Sequence, residues 1–480
     1  MTLSRRSFLQ LSVASIGFTA LERAVSSGAV PIGETTVGGT APPRGGPLAL
    51  PPGFTQTVFS RAGSEMSDGL LVPGYHDGMA AFPVPGEPRK TLLVRNHEID
   101  PSFGPACGPF GPKLERLKLI DPSHIYDKGY GVPCLGGTTS VVYDASTRHV
   151  EREFLSLVGS GVNCAGGPTP WGTWISCEEW TQSKDGKRFE QDHGWCFEIA
   201  ARTDAGLAAP RKLAPLGRFR HEAVACDPTR PIVYLTEDMG DGCLYRFLAG
   251  TPGDLTASGR LQALVAIDRR SLDTRNWRTE LAADAKGSVR RGPPNITVRP
   301  RDRFAVRWID LDDTTSPKDD LRFRAFAAGA IRFARCEGIW HAGDSVWIAA
   351  TTGGPNELGQ IWRYRPSEFE GTARESDAPP SLELAIESPD AAFLKNCDNL
   401  TVAPPTSPVA GDLFICEDGA GNDGIVRVRK NGTLQRFARN VASESELAGI
   451  CFSPDGRTMF VNIQAPGVTI AIDGPWESVQ

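Results

Sequence analysis

Three acidic residues stand at matching places in the chain, each immediately ahead of a run of strand length. These are Glu222 before Ala223-Val224, Glu337 before Gly338-Ile339-Trp340 and Asp398 before Asn399-Leu400-Thr401. One carboxylate at a turn signifies only a solvated loop. Three in register differ if the segments carrying them converge, because gathered carboxylates repel unless a cation sits among them. Hard oxygen donors of this kind suit calcium, magnesium or ferric iron. A second stretch, Asn163-Cys164-Ala165-Gly166-Gly167-Pro168-Thr169-Pro170-Trp171-Gly172-Thr173-Trp174-Ile175-Ser176-Cys177-Glu178-Glu179-Trp180, surrounds Cys164 with small residues that permit close backbone approach, then runs a strand into a glutamate pair.

Convergence needs an architecture that repeats. The acidic-led runs belong to a loose repeat: an acidic residue and apolar strand, a Gly/Asp turn, a second strand ending in an acidic or hydroxyl residue, and a third ending aromatic-Arg. Copies run from His221 to Phe247, Glu337 to Tyr364, Asp398 to Val428 and Leu447 to Asn462, with looser ones at Gly137 to Asp144 and Trp171 to Glu179. Starts at Glu337, Asp398 and Glu446 are about 50–60 residues apart, the pitch of a four-stranded propeller blade. The expected fold is all-β, a propeller of about six blades whose innermost strands bring the recurring acids to one axis. The span 250–334 interrupts the repeat and reads as an insertion placed to cover one mouth; the alternative is a two-domain chain split there. Within it Ser316-Pro317-Lys318-Asp319-Asp320 predicts an N-cap, N1 proline and acidic first turn for a helix reaching about Phe326.

The 480 residues exceed one ordinary core of about 250–300, which favours an architecture that grows by repetition. A net charge of −6, with no basic run beyond the N-terminus, argues against a nucleic-acid surface. Ser4-Arg5-Arg6-Ser7-Phe8-Leu9, the apolar run to Leu21 and small residues at Ser27 and Ala29 read as a twin-arginine signal over 1–29. The implied partner is the twin-arginine translocase, and the implied destination the periplasm or the exterior. Residues 30–52 read as an arm, and 53–480 as the propeller domain. No later stretch approaches the roughly 18 apolar residues of a membrane span, so no stable membrane anchor is expected, and the chain is expected to act as a monomer. Eleven cysteines without a C-x-x-C pair read mostly as buried strand residues.

The Asn163–Trp180 run strongly resembles the signature of PhoX-type alkaline phosphatases. So, in the same order, do Asp77-Gly78-Met79-Ala80, Asn96-His97-Glu98, Gly136-Gly137-Thr138-Thr139, Arg218-Phe219-Arg220-His221-Glu222, Glu237-Asp238, Arg335-Cys336-Glu337-Gly338, Asp398-Asn399-Leu400 and Asn462-Ile463-Gln464. The resemblance covers almost all of the chain from Gly53. It implies a six-bladed propeller holding two oxide-bridged ferric ions and up to three calcium ions. It further implies hydrolysis of phosphate monoesters, with some activity on diesters, by a bridging oxo or hydroxo nucleophile. Carried over by motif, Cys164 would be the thiolate ligand to iron. Glu222, Glu337, Glu178, Asp398 and Glu98 would be carboxylate ligands. Arg335 would grip the phosphoryl oxygens with planar paired donors, and Asn96 would act beside it.

His97 and His221 each precede a glutamate and read equally as metal-side groups or core histidines. The tryptophans Trp171, Trp174, Trp340, Trp347 and Trp362 read as core. Two departures from the family pattern stand out, Cys336 in place of proline and Ala465 in place of histidine. Two other readings remain: a calcium-dependent lactonase or esterase propeller, which needs no thiolate, and a propeller that binds partners and uses calcium only for stiffness.

Overall fold

The computed structural model describes residues 46–281 and 290–479. The expected signal over 1–29 lies outside the described residues, as does most of the expected arm. The chain alternates short strands with tight turns, so almost all regular structure is antiparallel sheet; the α-helix among the described residues is Leu321–Ala328.

Sheets follow one another in chain order. His76–Pro83, Lys90–His97, Gly136–Asp144 and His149–Ser160 form the first, and Asn163–Pro168, Thr173–Glu178 and Cys196–Ala200 the second. A nine-stranded sheet joins two antiparallel runs, one from His221–Cys226 out to Asp254–Ala266 and the other from Cys336–Ala342 out to Ser381–Glu387. Arg303–Asp310 links them, pairing with the outer strand of each. Cys397–Val402 begins the next sheet and Leu447–Phe452 the last. Thr55–Arg61 closes that last sheet by pairing with Val468–Asp473. The first strand of each run packs against the first strand of the next, and Leu447–Phe452 returns to His76–Pro83. The arrangement is propeller-like, with those strands innermost. Core residues lie in separate clusters between successive sheets, such as Phe414, Phe437, Phe452 and Trp476. That is how a long chain buries apolar surface without one thick core.

Two boundary expectations are corrected. Leu48–Ala49, assigned to the arm, is a strand paired with Leu434–Asn440, because apolar Leu48 is fully buried and the Gln56 side chain bonds both its backbone groups. The interruption from Gly250 is shorter than expected, since Asp254–Ala266 continues the sheet. The helix is displaced too. It starts at Leu321, and Ser316–Asp320 forms a preceding turn in which the Ser316 hydroxyl accepts the Asp320 N–H at 3.0 Å. Leu321 and Ala325 pack onto the Val224–Tyr245 core.

Candidate metal centre

Every innermost strand carries the same defect. Register slips by one residue between His76 and Met79, Asn163 and Gly166, His221 and Val224, Cys336 and Ile339, Cys397 and Leu400, and Ala448 and Cys451. A bulge of this kind leaves one residue unpaired and re-aims its side chain. The first bulged residues are Asp77, Cys164, Glu222, Glu337, Asp398 and, in the last strand, Gly449. Small residues follow in four of the six, Gly78, Ala165, Ala223 and Gly338, because the neighbouring bulge lies against them. A Cβ on Gly78 would meet Ala165 Cα at 2.4 Å, and one on Gly338 would meet the Asp398 carbonyl oxygen at 2.7 Å. The sixth place is closed by the Asn462 side chain, which would lie 2.5 Å from a Cβ on Gly449.

The side chains so aimed meet. Cys164, Glu179 and Glu222 form one set of possible ligands, Glu222, Glu337 and Asp398 a second, and Asp77, Glu98 and Glu446 a third, with the donor atoms of each set within 4.8 Å of one another. Glu222 belongs to two sets. Cys164, Glu179, Glu222, Glu337, Asp398 and Asp77 are each at most 8% exposed. Burial, then the charges of Glu337 and Glu179, push the Glu222 carboxyl well above its usual range. Burial likewise raises Glu337, Asp77 and Glu446, and takes Asp398 up to about 8, with Asp418 adding to it. Burial, then Glu222 and Glu179, raises the Cys164 thiol. A carboxylate cluster this dry and this crowded is tolerable when cations compensate it.

Arg335 lies at the edge of the cluster. It donates Nε to Asp238 Oδ1 at 2.8 Å and Nη2 to Asp238 Oδ2 and Glu337 Oε1, both at 2.7 Å. Its side chain is 28% exposed. On the far side, Gln464 donates to Asp77 Oδ2 at 3.1 Å and Glu98 Oε2 at 2.6 Å.

Of the residues singled out from sequence, Cys164, Glu222, Glu337, Asp398 and Glu98 are brought together, with Arg335 beside them. Two are not. Glu178 points into its own sheet, where its carboxylate accepts the N–H groups of Gly161, Gly194 and Trp195 and faces His193. Its neighbour Glu179, one residue past the strand's end, occupies the cluster, because successive residues of extended chain face opposite sides. Asn96 is fully buried, donating to the carbonyls of Cys164 and Ala165 and accepting the Trp174 indole N–H at 2.8 Å. Its amide braces the Cys164 backbone.

The two histidines resolve as core residues: His97 bonds the Gly74 carbonyl and Thr139 hydroxyl, and His221 bonds the Gly217 carbonyl and lies over Phe219. Cys336 is packed in the apolar core. Trp174 and Trp362 are fully buried, whereas Trp171 is 39% exposed. All eleven cysteines are free thiols.

The family model described as alkaline phosphatase PhoX matches residues 35–103 and 136–467. The chain belongs to the PhoX alkaline phosphatase family. It is accordingly a phosphatase. Among solved structures, a PhoX from Pseudomonas fluorescens in complex with vanadate, a transition state analogue, is similar at 18% identity. That match covers 90% of this chain and 96% of that one, with a TM-score of 0.61. A gluconolactonase from Xanthomonas campestris is similar over 87% of this chain and 94% of its own, at 9% identity and a TM-score of 0.38. No curated protein sequence matches the chain. Membership of the PhoX family places the bulge residues in a chain of phosphatase descent, and Glu179 and Glu446 join the candidates named from sequence. Glu446 had a signal, as the start of a repeat. Glu179 had one as well, since it follows Glu178 as Asp238 follows Glu237.

Proposed function

We propose that the chain hydrolyses phosphate esters, chiefly monoesters and to some extent diesters, at the axial cluster with metal ions as cofactors. The observation that carries the reading is the convergence of five chemically capable bulge residues on one buried spot crowded with carboxylates. The donor set fits cations. A thiol between two carboxylates, Cys164 with Glu179 and Glu222, suits ferric iron, while the two all-carboxylate sets suit calcium. Two iron and up to three calcium ions are the proposed complement. Bound there, they supply the concentrated positive charge that a phosphate dianion and a departing alkoxide demand.

The chain's own residues do the rest. Asp238 and Glu337 hold the Arg335 guanidinium in one orientation at the edge of the cluster, where its charge faces the phosphoryl group. Gln464 keeps Asp77 and Glu98 from separating. Asn96 fixes the backbone on which Cys164 stands. The vanadate held by the Pseudomonas protein is consistent with a phosphoryl-transfer site in this family.

Each innermost strand with its sheet partners makes one blade, the nine-stranded sheet counts as two, and the proposed propeller has six. Residues 1–29 are proposed as a twin-arginine signal that directs a monomeric enzyme to the periplasm or beyond. The test is elemental analysis with a visible spectrum on exported protein, followed by a chromogenic phosphate monoester assay with added calcium. Iron near two per chain, a coloured thiolate band and phosphate release are expected. Cys164→Ala should lose the colour and the turnover while staying folded; calcium without iron would instead favour the lactonase reading.

A further inference from the structure

We infer that His193 is a positioning residue of the metal centre: held between Asp127 and Glu178, it fixes the Glu178 carboxylate that clamps the loop leading to Cys164 and adjoins Glu179. The inference rests on the centre proposed above.

His193 is fully buried, with Nδ1 2.7 Å from Glu178 Oε1 and Nε2 3.1 Å from Asp127 Oδ2. Both ring nitrogens face carboxylates, so both carry protons and donate. Burial opposes that charge, but Glu178 and the hydrogen bond to Asp127 outweigh it and hold the ring protonated up to about 12. Asp127, Cys134 and His193 have the composition of a metal site. The donor count says otherwise. Asp127 already accepts the N–H groups of Gly129, Glu190 and Gln191, and the His193 nitrogens are spent on the two carboxylates. The imidazolium itself is the cation there.

The repeat supports this reading. Glu237 and Glu417 stand at the same place as Glu178, opposite the residue before the bulge. Each accepts an N–H from the start of the next strand or just ahead of it, Cys243 at 3.2 Å and Gly424 at 3.1 Å. Each also has a cation: Arg322 lies 3.6 Å from Glu237, and Arg436 lies 2.5 Å from Glu417. His193 takes the arginine's part for Glu178.

Glu178 also clamps the chain ahead of its bulged strand, accepting the Gly161 N–H at 3.1 Å as Glu417 accepts that of Lys395 at 2.9 Å. Gly161 lies two residues before Asn163, and Asn163 is the register partner of Glu178 itself. The Trp180 ring lies 4.7 Å from the His193 ring and closes over Gly161, leaving 2.9 Å to a Cβ there. Glu179 therefore sits between two residues that His193 holds, and Cys164 follows a loop that Glu178 clamps. Loss of the imidazolium leaves Glu178 as an uncompensated buried carboxylate and frees both.

The test is His193→Gln in the full chain, with Glu178→Gln and the double variant. Amide hydrogen exchange is followed at residues 161–164 in metal-stripped protein, the thiolate absorption band after loading with cobalt(II), and kcat and KM on a phosphate monoester. In His193→Gln, exchange at Gly161 should rise at least about 10-fold, the band should weaken or shift, and kcat should fall about 10-fold with KM nearly unchanged. The double variant should be no worse than Glu178→Gln, because the two residues act in series. A folded His193→Gln protein with wild-type exchange and band overturns the inference, as do additive losses in the double variant. If that variant does not fold, Asp127→Asn, which removes the second carboxylate that holds the His193 ring against Glu178, must still loosen Gly161; no change in that folded variant overturns it equally. A wild-type protein that binds no metal and releases no phosphate would sink the proposed function, while exchange at Gly161 still decides the role of His193.

Discussion

Glu222 stands between Cys164 and Glu179 on one side and Glu337 and Asp398 on the other, so its substitution reaches two ligand sets at once. Glu222→Gln is expected to lower turnover by roughly 100-fold or more and to reduce metal stoichiometry, read by steady-state kinetics and elemental analysis. In metal-free protein the same change should raise the melting temperature, since a carboxyl that burial and its neighbours destabilise as an anion is replaced by a neutral amide. A stabilised apoprotein that no longer turns over is the signature of a site built for cations. Arg335→Lys probes a different property. Lysine keeps the charge but cannot pair in a plane with Asp238 while reaching Glu337, so kcat/KM should fall about 10–100-fold with metal content unchanged. An unaltered rate would remove Arg335 from contact with the phosphoryl group.

At the scale of the strand, the bulge is what turns an acidic residue into a ligand. Gly338→Ala tests it without replacing any ligand: the added Cβ would meet the backbone of the neighbouring strand, the Asp398 oxygen at 2.7 Å and the Leu400 nitrogen at 2.9 Å. The expected cost is about 1–3 kcal/mol in urea unfolding, together with weakened metal retention as the Glu337 and Asp398 bulges move apart. The exposed loop glycine Gly206, whose Cβ would meet nothing within 4 Å, is the control and should leave metal retention alone. The same bulge explains what was legible in the sequence. Glu222, Glu337 and Asp398 showed their equivalence because each leads an apolar run. Asp77 and Cys164 hold the same structural place, but Cys164 is a different residue type and glycine-rich sequence follows it, so their shared register does not appear as a repeated letter. The repeat units of the first two sheets show in the sequence only at Gly137 to Asp144 and Trp171 to Glu179, which fall on the strands Gly136–Asp144 and Thr173–Glu178 and not on the innermost ones. The sequence points to Glu178 where the cluster holds Glu179, because adjacency in sequence does not reveal which of two neighbours faces the axis. His193, in a loop without periodicity, gave no signal at all.

Over the whole molecule, the axis is where the sheets are brought together, and in metal-free protein it holds acids that cannot all ionise. Glu222, Glu337, Asp77 and Glu446 are raised mainly by burial, and Asp398 reaches about 8. The folded chain therefore keeps protons that the unfolded chain releases near pH 4, and folded stability from these groups is full below that point. It is lost as pH rises from about 4 toward 8. Exposed carboxylates already held low by backbone N–H donors, such as Asp185 at about 2, are ionised across this range and contribute no slope. Cations reverse the sign, because they bind the deprotonated ligands and gain affinity as protons leave. Chelated protein should thus melt at progressively lower temperature between about pH 5 and pH 8, while protein loaded with calcium and iron holds or gains, so that the gap between them widens with pH. Calorimetry on the two forms measures it directly. If the chelated protein is as stable at pH 8 as at pH 5, the carboxylates are compensated from within the chain, and the axis is a structural feature with no need of metal.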